Sequence, residues 1–356
     1  MHHRRQDPMI TDDSVLVLGG SEIGRLLRGR EAEVLAAVKK AYESHARGET
    51  VLPHSTFLRF PHRPPDRIIA LPAYLGGEFD VAGVKWISSF PGNVERGIDR
   101  ASAAILLNST DTGRLQAILE GALVSAQRTA ASAALAARAL HGTSATRSAG
   151  LVGCGVLNAE ILRFLSVVFP DIDEVRLFDV SEERARAFRD HHLHLGARGE
   201  RFVIVPRIED ALAAPLVSFA TTAAVPHVAS LAACPPGATI LHISLRDLAP
   251  EVVLTCDNIV DDIDHVCRSQ TSLHLAEQIT GHRRFIRCTL GDVLTGRAAP
   301  AARAGTPVVF SPFGLGILDL AVAHLAMARA RAEGEGQQIH GFASQYWTTA
   351  PARAGV

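Results

Sequence analysis

The stretch Gly150-Leu151-Val152-Gly153-Cys154-Gly155-Val156-Leu157-Asn158 joins a short apolar run to a helical pattern. Its glycines have the spacing of a turn that carries a dinucleotide phosphate. Gly153 allows the tight turn, and Gly155 lets the backbone approach a pyrophosphate at the helix N-terminus. Asn158 stands where a third small residue is usual, so the motif is imperfect. Glu174–Phe178 reads as the next strand and ends at Asp179, close to where an acid would accept a ribose 2′-hydroxyl. The competing role for Asp179 is a helix cap beside Ser181-Glu182-Glu183. An acid there favours NAD, because it repels the 2′-phosphate of NADP. His191, His192 and His194 lie in a charged helical stretch with no acid or cysteine at ligand spacing, which predicts a solvated face and no metal.

These residues need a parallel sheet to hold them, and the pattern after Gly121 supplies one. Residues 122–140 are alanine-rich and predict one long helix. Strands and helices then alternate: strands at 149–152, 174–179, 202–205, 216–221, 239–243, 258–260 and 308–310, with helices starting at Val156 and Ser181. The first third differs. A helix over 31–45 places Val34, Leu35, Val38 and Tyr42 on one face. Strands follow at 55–60, 67–70, 81–88 and 103–107, broken by His62-Arg63-Pro64-Pro65, Gly76-Gly77 and Pro91-Gly92-Asn93. That run predicts a mainly antiparallel sheet. A helix over 315–331 should leave the second unit and return to the first, and the polar residues beyond Gly334 read as a loosely attached tail.

The fold class expected is therefore α/β: a Rossmann-type, doubly wound parallel sheet inserted into an α+β substrate-binding and dimerisation domain. The expected domains are 1–125 with 320–356, and 126–319 for the nucleotide. A chain of 356 residues is more than a single core usually organises. The net charge of −1 gives no reason to expect a nucleic-acid partner. The charged start is not a secretory signal, and apolar runs such as 101–107 fall well short of the roughly 18–20 residues that span a membrane. Five cysteines (Cys154, Cys234, Cys256, Cys267, Cys288) make an odd set without a Cys-x-x-Cys pair, which points to a reducing, cytoplasmic setting.

Several stretches together resemble the ornithine cyclodeaminase/mu-crystallin family. They are Gly83-Val84-Lys85-Trp86, Phe90-Pro91-Gly92-Asn93, Thr112-Gly113, Arg128-Thr129-Ala130-Ala131, Gly153-Cys154-Gly155, Thr221-Thr222-Ala223 and Gly314-Leu315-Gly316-Ile317-Leu318-Asp319. Three longer ones, residues 54–61, 67–77 and 85–93, resemble the branch of dehydrogenases that make 2,3-diaminopropionate for siderophores and peptide antibiotics. That resemblance implies NAD-dependent oxidative cleavage of N-(2-amino-2-carboxyethyl)-L-glutamate to 2-oxoglutarate and L-2,3-diaminopropionate.

The resemblance implies roles as well. Arg59, Lys85 and Arg128 would lie near the substrate, with Lys85 as a carboxylate anchor or a proton-exchanging group, and Asp247 would take the proton of an attacking water. Val156, Leu157, Thr221, Thr222 and Gly314 would join Gly153, Gly155, Asn158 and Asp179 around the cofactor. Arg96 and Arg100 are added on charge, because a substrate with three carboxylates is best held by guanidinium groups. The alternatives are ornithine cyclodeaminase or a related amino-acid dehydrogenase or ketimine reductase, and a mu-crystallin-like binder without turnover. An apolar face on the first sheet would be covered in a homodimer.

Overall fold

The computed structural model describes residues 14–141, 146–194, 201–301 and 304–343. The charged start and the residues beyond 343, about which the sequence raised expectations, lie outside the described residues. Two eight-stranded sheets organise the described residues.

The first sheet runs in the order Gln337–Ile339, Val15–Leu18, Leu115–Glu120, Ala101–Ser109, Val81–Ser89, Arg63–Leu75 and Thr50–Val51, with Thr56–Phe60 also paired to Arg63–Leu75. Every pairing is antiparallel except that of Val15–Leu18 with Leu115–Glu120. The helix Glu31–Ala46 buries Val34, Leu35, Val38 and Tyr42, the face its spacing predicted. It packs with the helices Gly121–His141 and Gly316–Glu333, and the latter lies directly on the strands Arg63–Leu75 and Val81–Ser89.

The second sheet is wholly parallel, in the order Arg201–Ile204, Glu174–Phe178, Ser148–Val152, Leu216–Phe219, Thr239–His242, Val308–Ser311, Asp257–Val260 and Ile286–Thr289. The chain winds outward from Ser148–Val152 in one direction and then restarts on its other side at Leu216–Phe219. The order thus reverses between these two strands, and the crevice at their carboxyl ends is where open α/β sheets bind ligands.

The residues after Gly334 differ from expectation. Gln337–Ile339 pairs antiparallel with Val15–Leu18 and completes an edge of the first sheet. A three-residue strand is too short to carry a readable alternation, and only the unpaired edge beside it explains why it forms. The strands Val15–Leu18, Leu115–Glu120 and Ile286–Thr289 were likewise unread. The helix Gly121–His141 touches both sheets, so the expected domain border at 125/126 falls inside a continuous element, as the border at 319/320 falls inside Gly316–Glu333.

One bond ties two of these helices together. Tyr42 Oη and Ser132 Oγ are 2.7 Å apart and both residues are buried. Tyr42→Phe should leave the Ser132 hydroxyl without its partner and cost about 1 kcal/mol. In a protein of this size the thermal midpoint should fall by about 1–2 °C. An unchanged midpoint in a melting experiment would show that the bond adds nothing.

Candidate active site

Gly153 ends the strand Ser148–Val152 with φ +92°, and a Cβ there would press on the Ala220 carbonyl at 2.7 Å. The fold itself therefore requires this glycine. Gly155 is different: a Cβ on it would meet nothing within 4 Å. It caps the helix Val156–Val168, whose first turn has no side-chain cap. The free N–H groups there form an anion site, and the open space over Gly155 is room that a bound pyrophosphate would use.

Around this turn lies a cleft of about 300 Å³ lined by Gly153, Gly155, Asp179, Thr221, Thr222 and His227, among others. Asp179 Oδ2 accepts the Cys154 N–H at 2.8 Å and Oδ1 accepts the Ser181 N–H at 2.9 Å. It thus braces the glycine turn and the next helix start while lining the cleft. Burial, and then the nearby Asp179 charge, push the Cys154 thiol up to about 12, so this cysteine is an unreactive packed residue.

Four residues assigned to the cofactor do not line this cleft. Asn158 is fully buried; its Nδ2 donates to the carbonyls of Val152 (3.0 Å) and Gly153 (2.7 Å), and its Oδ1 accepts the Ser218 hydroxyl at 2.7 Å. It fastens the turn to the strand Leu216–Phe219 rather than touching the cleft. Val156 is exposed but outside the lining, and Leu157 packs toward the core. Gly314 sits elsewhere: its φ is +96°, and a Cβ on it would meet the Arg128 guanidinium at 3.0 Å. Its N–H donates to the buried Asp261 Oδ2 at 2.6 Å, which holds the loop against Arg128.

Lys85 and Arg128 do come together, through a residue that the sequence reading did not single out. Asp319 is fully buried; its Oδ2 accepts from Lys85 Nζ at 2.7 Å and its Oδ1 from Arg128 Nε at 3.0 Å. Ser125 Oγ accepts from both cations. Burial, together with the Arg128 charge, lowers the Lys85 pKa to about 8 against the opposing pull of Asp319. For Asp319 burial works toward a higher pKa, but the two cations outweigh it and hold the carboxyl below its usual range. Two cations and one anion leave a single positive charge, enough to anchor one carboxylate. The signal for Asp319 was present: it is the lone acid in the apolar run that starts Gly316–Glu333.

Asp247 lies beyond the strand Thr239–His242, fully buried and surrounded by donors. Oδ1 accepts from Thr221 Oγ1 and sits 3.1 Å from His227 Nε2; Oδ2 accepts from Ser244 Oγ and lies 3.4 Å from His242 Nε2. Burial would raise its pKa, but the hydrogen bonds with His242, Ser244 and Thr221 hold it well below the usual carboxylate range. Thr221, His227 and Ser244 hold its oxygens and its pKa is held low, so it is a poor acceptor for the proton of water, the role expected of it. Beside Asp247, the imidazole of His227 faces the cleft, and the sequence reading missed it because a histidine in a loop carries no spacing signal.

Of the remaining arginines, Arg59 is exposed on Thr56–Phe60 with its guanidinium 5.2 Å from the Phe57 ring, and Arg100 is half-buried beside the strand Ala101–Ser109. Arg96 is exposed in the turn Pro91–Arg96 and makes no hydrogen bond or ion pair to the described residues. Among the described residues no group of histidines, cysteines and acids is arranged to hold a metal ion, and no helix is long and apolar enough to cross a membrane.

The protein is similar over nearly its whole length to enzymes with this architecture. It is 26% identical over 333 residues to N-((2S)-2-amino-2-carboxyethyl)-L-glutamate dehydrogenase of Staphylococcus aureus, covering 92% of this chain and 98% of that protein. The solved structure of an archaeal alanine dehydrogenase dimer with bound NAD superposes with a TM-score of 0.83 at 27% identity, covering 92% of this chain and 100% of that one. A Δ1-pyrroline-2-carboxylate reductase of Thermococcus litoralis, solved with NADH and L-proline, has the same fold, with a TM-score of 0.84 at 24% identity over 91% of this chain and all of that one. The model of one family matches residues 16–334. The chain belongs to the ornithine cyclodeaminase/mu-crystallin family.

Proposed function

We propose that the protein is an NAD-dependent oxidoreductase that cleaves N-(2-amino-2-carboxyethyl)-L-glutamate to 2-oxoglutarate and L-2,3-diaminopropionate, in the supply of that amino acid for a siderophore or peptide antibiotic. The observation that carries the reading is that the chain holds both a built nucleotide cleft and a buried cationic anchor, Lys85 and Arg128 on Asp319. The likeness to the Staphylococcus aureus dehydrogenase supports the choice of substrate.

The residues of the cleft fit NAD. Gly153, Gly155 and the uncapped helix start would hold its pyrophosphate, Asp179 its ribose, and Thr221 and Thr222 the far wall. Bound NAD supplies the acceptor for the hydride that leaves the glutamate Cα. Lys85 and Arg128 hold the carboxylate next to that carbon, which fixes the carbon against the cleft. The oxidised substrate is an imine, and water must add to its carbon and lose a proton before the C–N bond breaks. His227 is suited to take that proton. Its Nε2 faces the Asp247 carboxylate, which accepts its N–H and so turns Nδ1 into the basic nitrogen. Asp247 then acts through the imidazole as a positioning residue. A homodimer formed over the outer face of the first sheet, where Leu58 and Trp86 are exposed, completes the proposal.

Three measurements test this reading. NADH absorbance should rise when NAD and the purified glutamate adduct are added, and stay flat with L-ornithine or L-alanine. Turnover of either amino acid without the adduct would move the protein to another branch of the family.

His227→Gln should lower kcat by about 10²–10⁴, the usual contribution of a general base. Asp247→Asn should lower it too, while calorimetric NAD affinity stays within a few-fold. Near-normal kcat in His227→Gln would remove the imidazole from the proton step.

The Lys85 charge should govern carboxylate binding. With its pKa near 8, Lys85 is protonated below that pH and the anchor carries net positive charge; above it the anchor is neutral. The inhibition constant of 2-oxoglutarate, which has no group titrating near neutral pH, should therefore rise as pH passes through about 8. In Lys85→Met that inflection should vanish. A flat profile in the wild type would mean that Lys85 does not anchor the carboxylate.

A further inference from the structure

At one end of the first sheet, polar groups are buried without partners. Arg67 Nε and Ser89 Oγ have no hydrogen-bond partner, and the two residues stand opposite each other on neighbouring strands. Arg59 stands opposite Arg67 on its other side. Arg100 immediately precedes Ala101, the partner of Ser89 on the next strand. The fourth cation comes from the second sheet: Arg246 is the residue before Asp247, and its guanidinium donates to the carbonyls of Ser269 and Gln270.

Burial, and then the guanidinium groups of Arg100, Arg246 and Arg59, lower the Arg67 pKa, which is what a cation experiences among cations. Among the described residues none of these four arginines forms an ion pair with an acid. Such a group repels itself, and burying a donor without an acceptor has a cost, so the arrangement is stabilised by an anion from outside. Phe57 and Ser269, the residues on which Arg59 and Arg246 rest, also belong to the wall of a neighbouring cavity of about 490 Å³ whose lining includes Arg268 and Arg283.

The register relates this place to the anchor. Lys85, Ile87 and Ser89 alternate onto one face of their strand, and their partners Leu71, Ile69 and Arg67 share it. Four residues along a strand span roughly 13 Å, and arginine side chains shorten the gap. Ile69 and Ile87 floor the space between. We infer that this end of the sheet is a second carboxylate subsite. There Arg67 and Ser89, flanked by Arg59, Arg100 and Arg246, hold the distal carboxylate of a substrate whose first carboxylate lies at Lys85 and Arg128. The inference rests on the proposed oxidation of an anionic amino-acid adduct and names the residues that select it over amino acids with one carboxylate.

The test uses L-glutamate and L-glutamine, which differ only in the charge of the distal group, titrated calorimetrically into the full chain with and without NAD. Initial rates with the adduct are measured in parallel. Wild type should prefer glutamate, and Arg67→Gln should reduce that preference by about tenfold to a hundredfold, the worth of a lost charged hydrogen-bond pair. Arg67→Lys should restore part of it, and Ser89→Ala should reduce it less. Equal binding of the two probes by wild type, or an unchanged preference in both Arg67→Gln and Ser89→Ala, would overturn the subsite. If the preference is lost in Arg67→Gln but wild type never oxidises the adduct, the subsite stands and the proposed reaction falls. If the adduct is oxidised with a KM that Arg67→Gln leaves unmoved, the reaction stands and the subsite falls.

Discussion

A carboxylate with no solvent access must be paired or hydrogen-bonded, and Asp319 has two cations at bonding distance. Removing one partner of such a buried pair typically costs about 3–5 kcal/mol, so the three side chains constrain one another. They come from three elements: Lys85 from a strand of the first sheet, Arg128 from Gly121–His141 and Asp319 from Gly316–Glu333. Both helices are thereby held in register on the strand that carries Lys85. The helix Gly121–His141 continues on to touch the strand Thr239–His242 of the second sheet, so the place of the anchor is tied to the nucleotide cleft. Gly314, held by Asp261, closes in on Arg128 from the other side.

A second buried carboxylate does similar work across the cleft. Its oxygens hold Thr221, His227 and Ser244 while the Asp247 N–H donates to His242 Nε2, which aligns the end of one strand, the loop after it and the imidazole facing the cleft. The loop that carries it is bent: Leu245 has φ +69°, a left-handed backbone conformation unusual for a branched side chain. Bonds from Ser272 N–H to the Leu245 carbonyl (2.8 Å) and from Arg246 to Ser269 and Gln270 hold that bend. Adjacent residues thus serve different places, Asp247 the cleft and Arg246 the arginine group at the end of the first sheet. Strain of this kind persists where the surrounding bonds over-determine it, and it is commonest at functional sites.

Much of this was legible in the sequence because it is local. The glycine turn, the strand ending at Asp179 and the long alanine-rich helix follow from turn chemistry and from periods of 2 and 3.6, which a window of ten to twenty residues contains. The short motifs carried the family, and with it Arg59, Lys85 and Arg128. What the structure places away from the cleft was also local in appearance. Asn158 follows the glycines directly, yet its side chain turns inward to three partners, because an amide with four hydrogen-bonding positions is better satisfied there than on the surface. Gly314 belongs to a family motif but lies against Arg128, where its missing Cβ makes room for a guanidinium.

The sequence alone determined the fold class, the nucleotide turn and the presence of cations fit for a carboxylate. Only the tertiary structure decided which of those cations meet. Lys85 and Asp319 are 234 positions apart, and their contact depends on how one helix lies across one sheet. Arg67, Ser89 and Arg246 are linked by strand register and by the approach of a strained loop from the other sheet, and no periodicity records either. The convergence of Thr221, His227 and Ser244 on the Asp247 carboxylate, which sets the imidazole facing the cleft, likewise depends on side chains from separate segments. Side-chain period and turn chemistry are properties of neighbours in the chain; hydrogen-bond saturation and charge pairing are properties of neighbours in space.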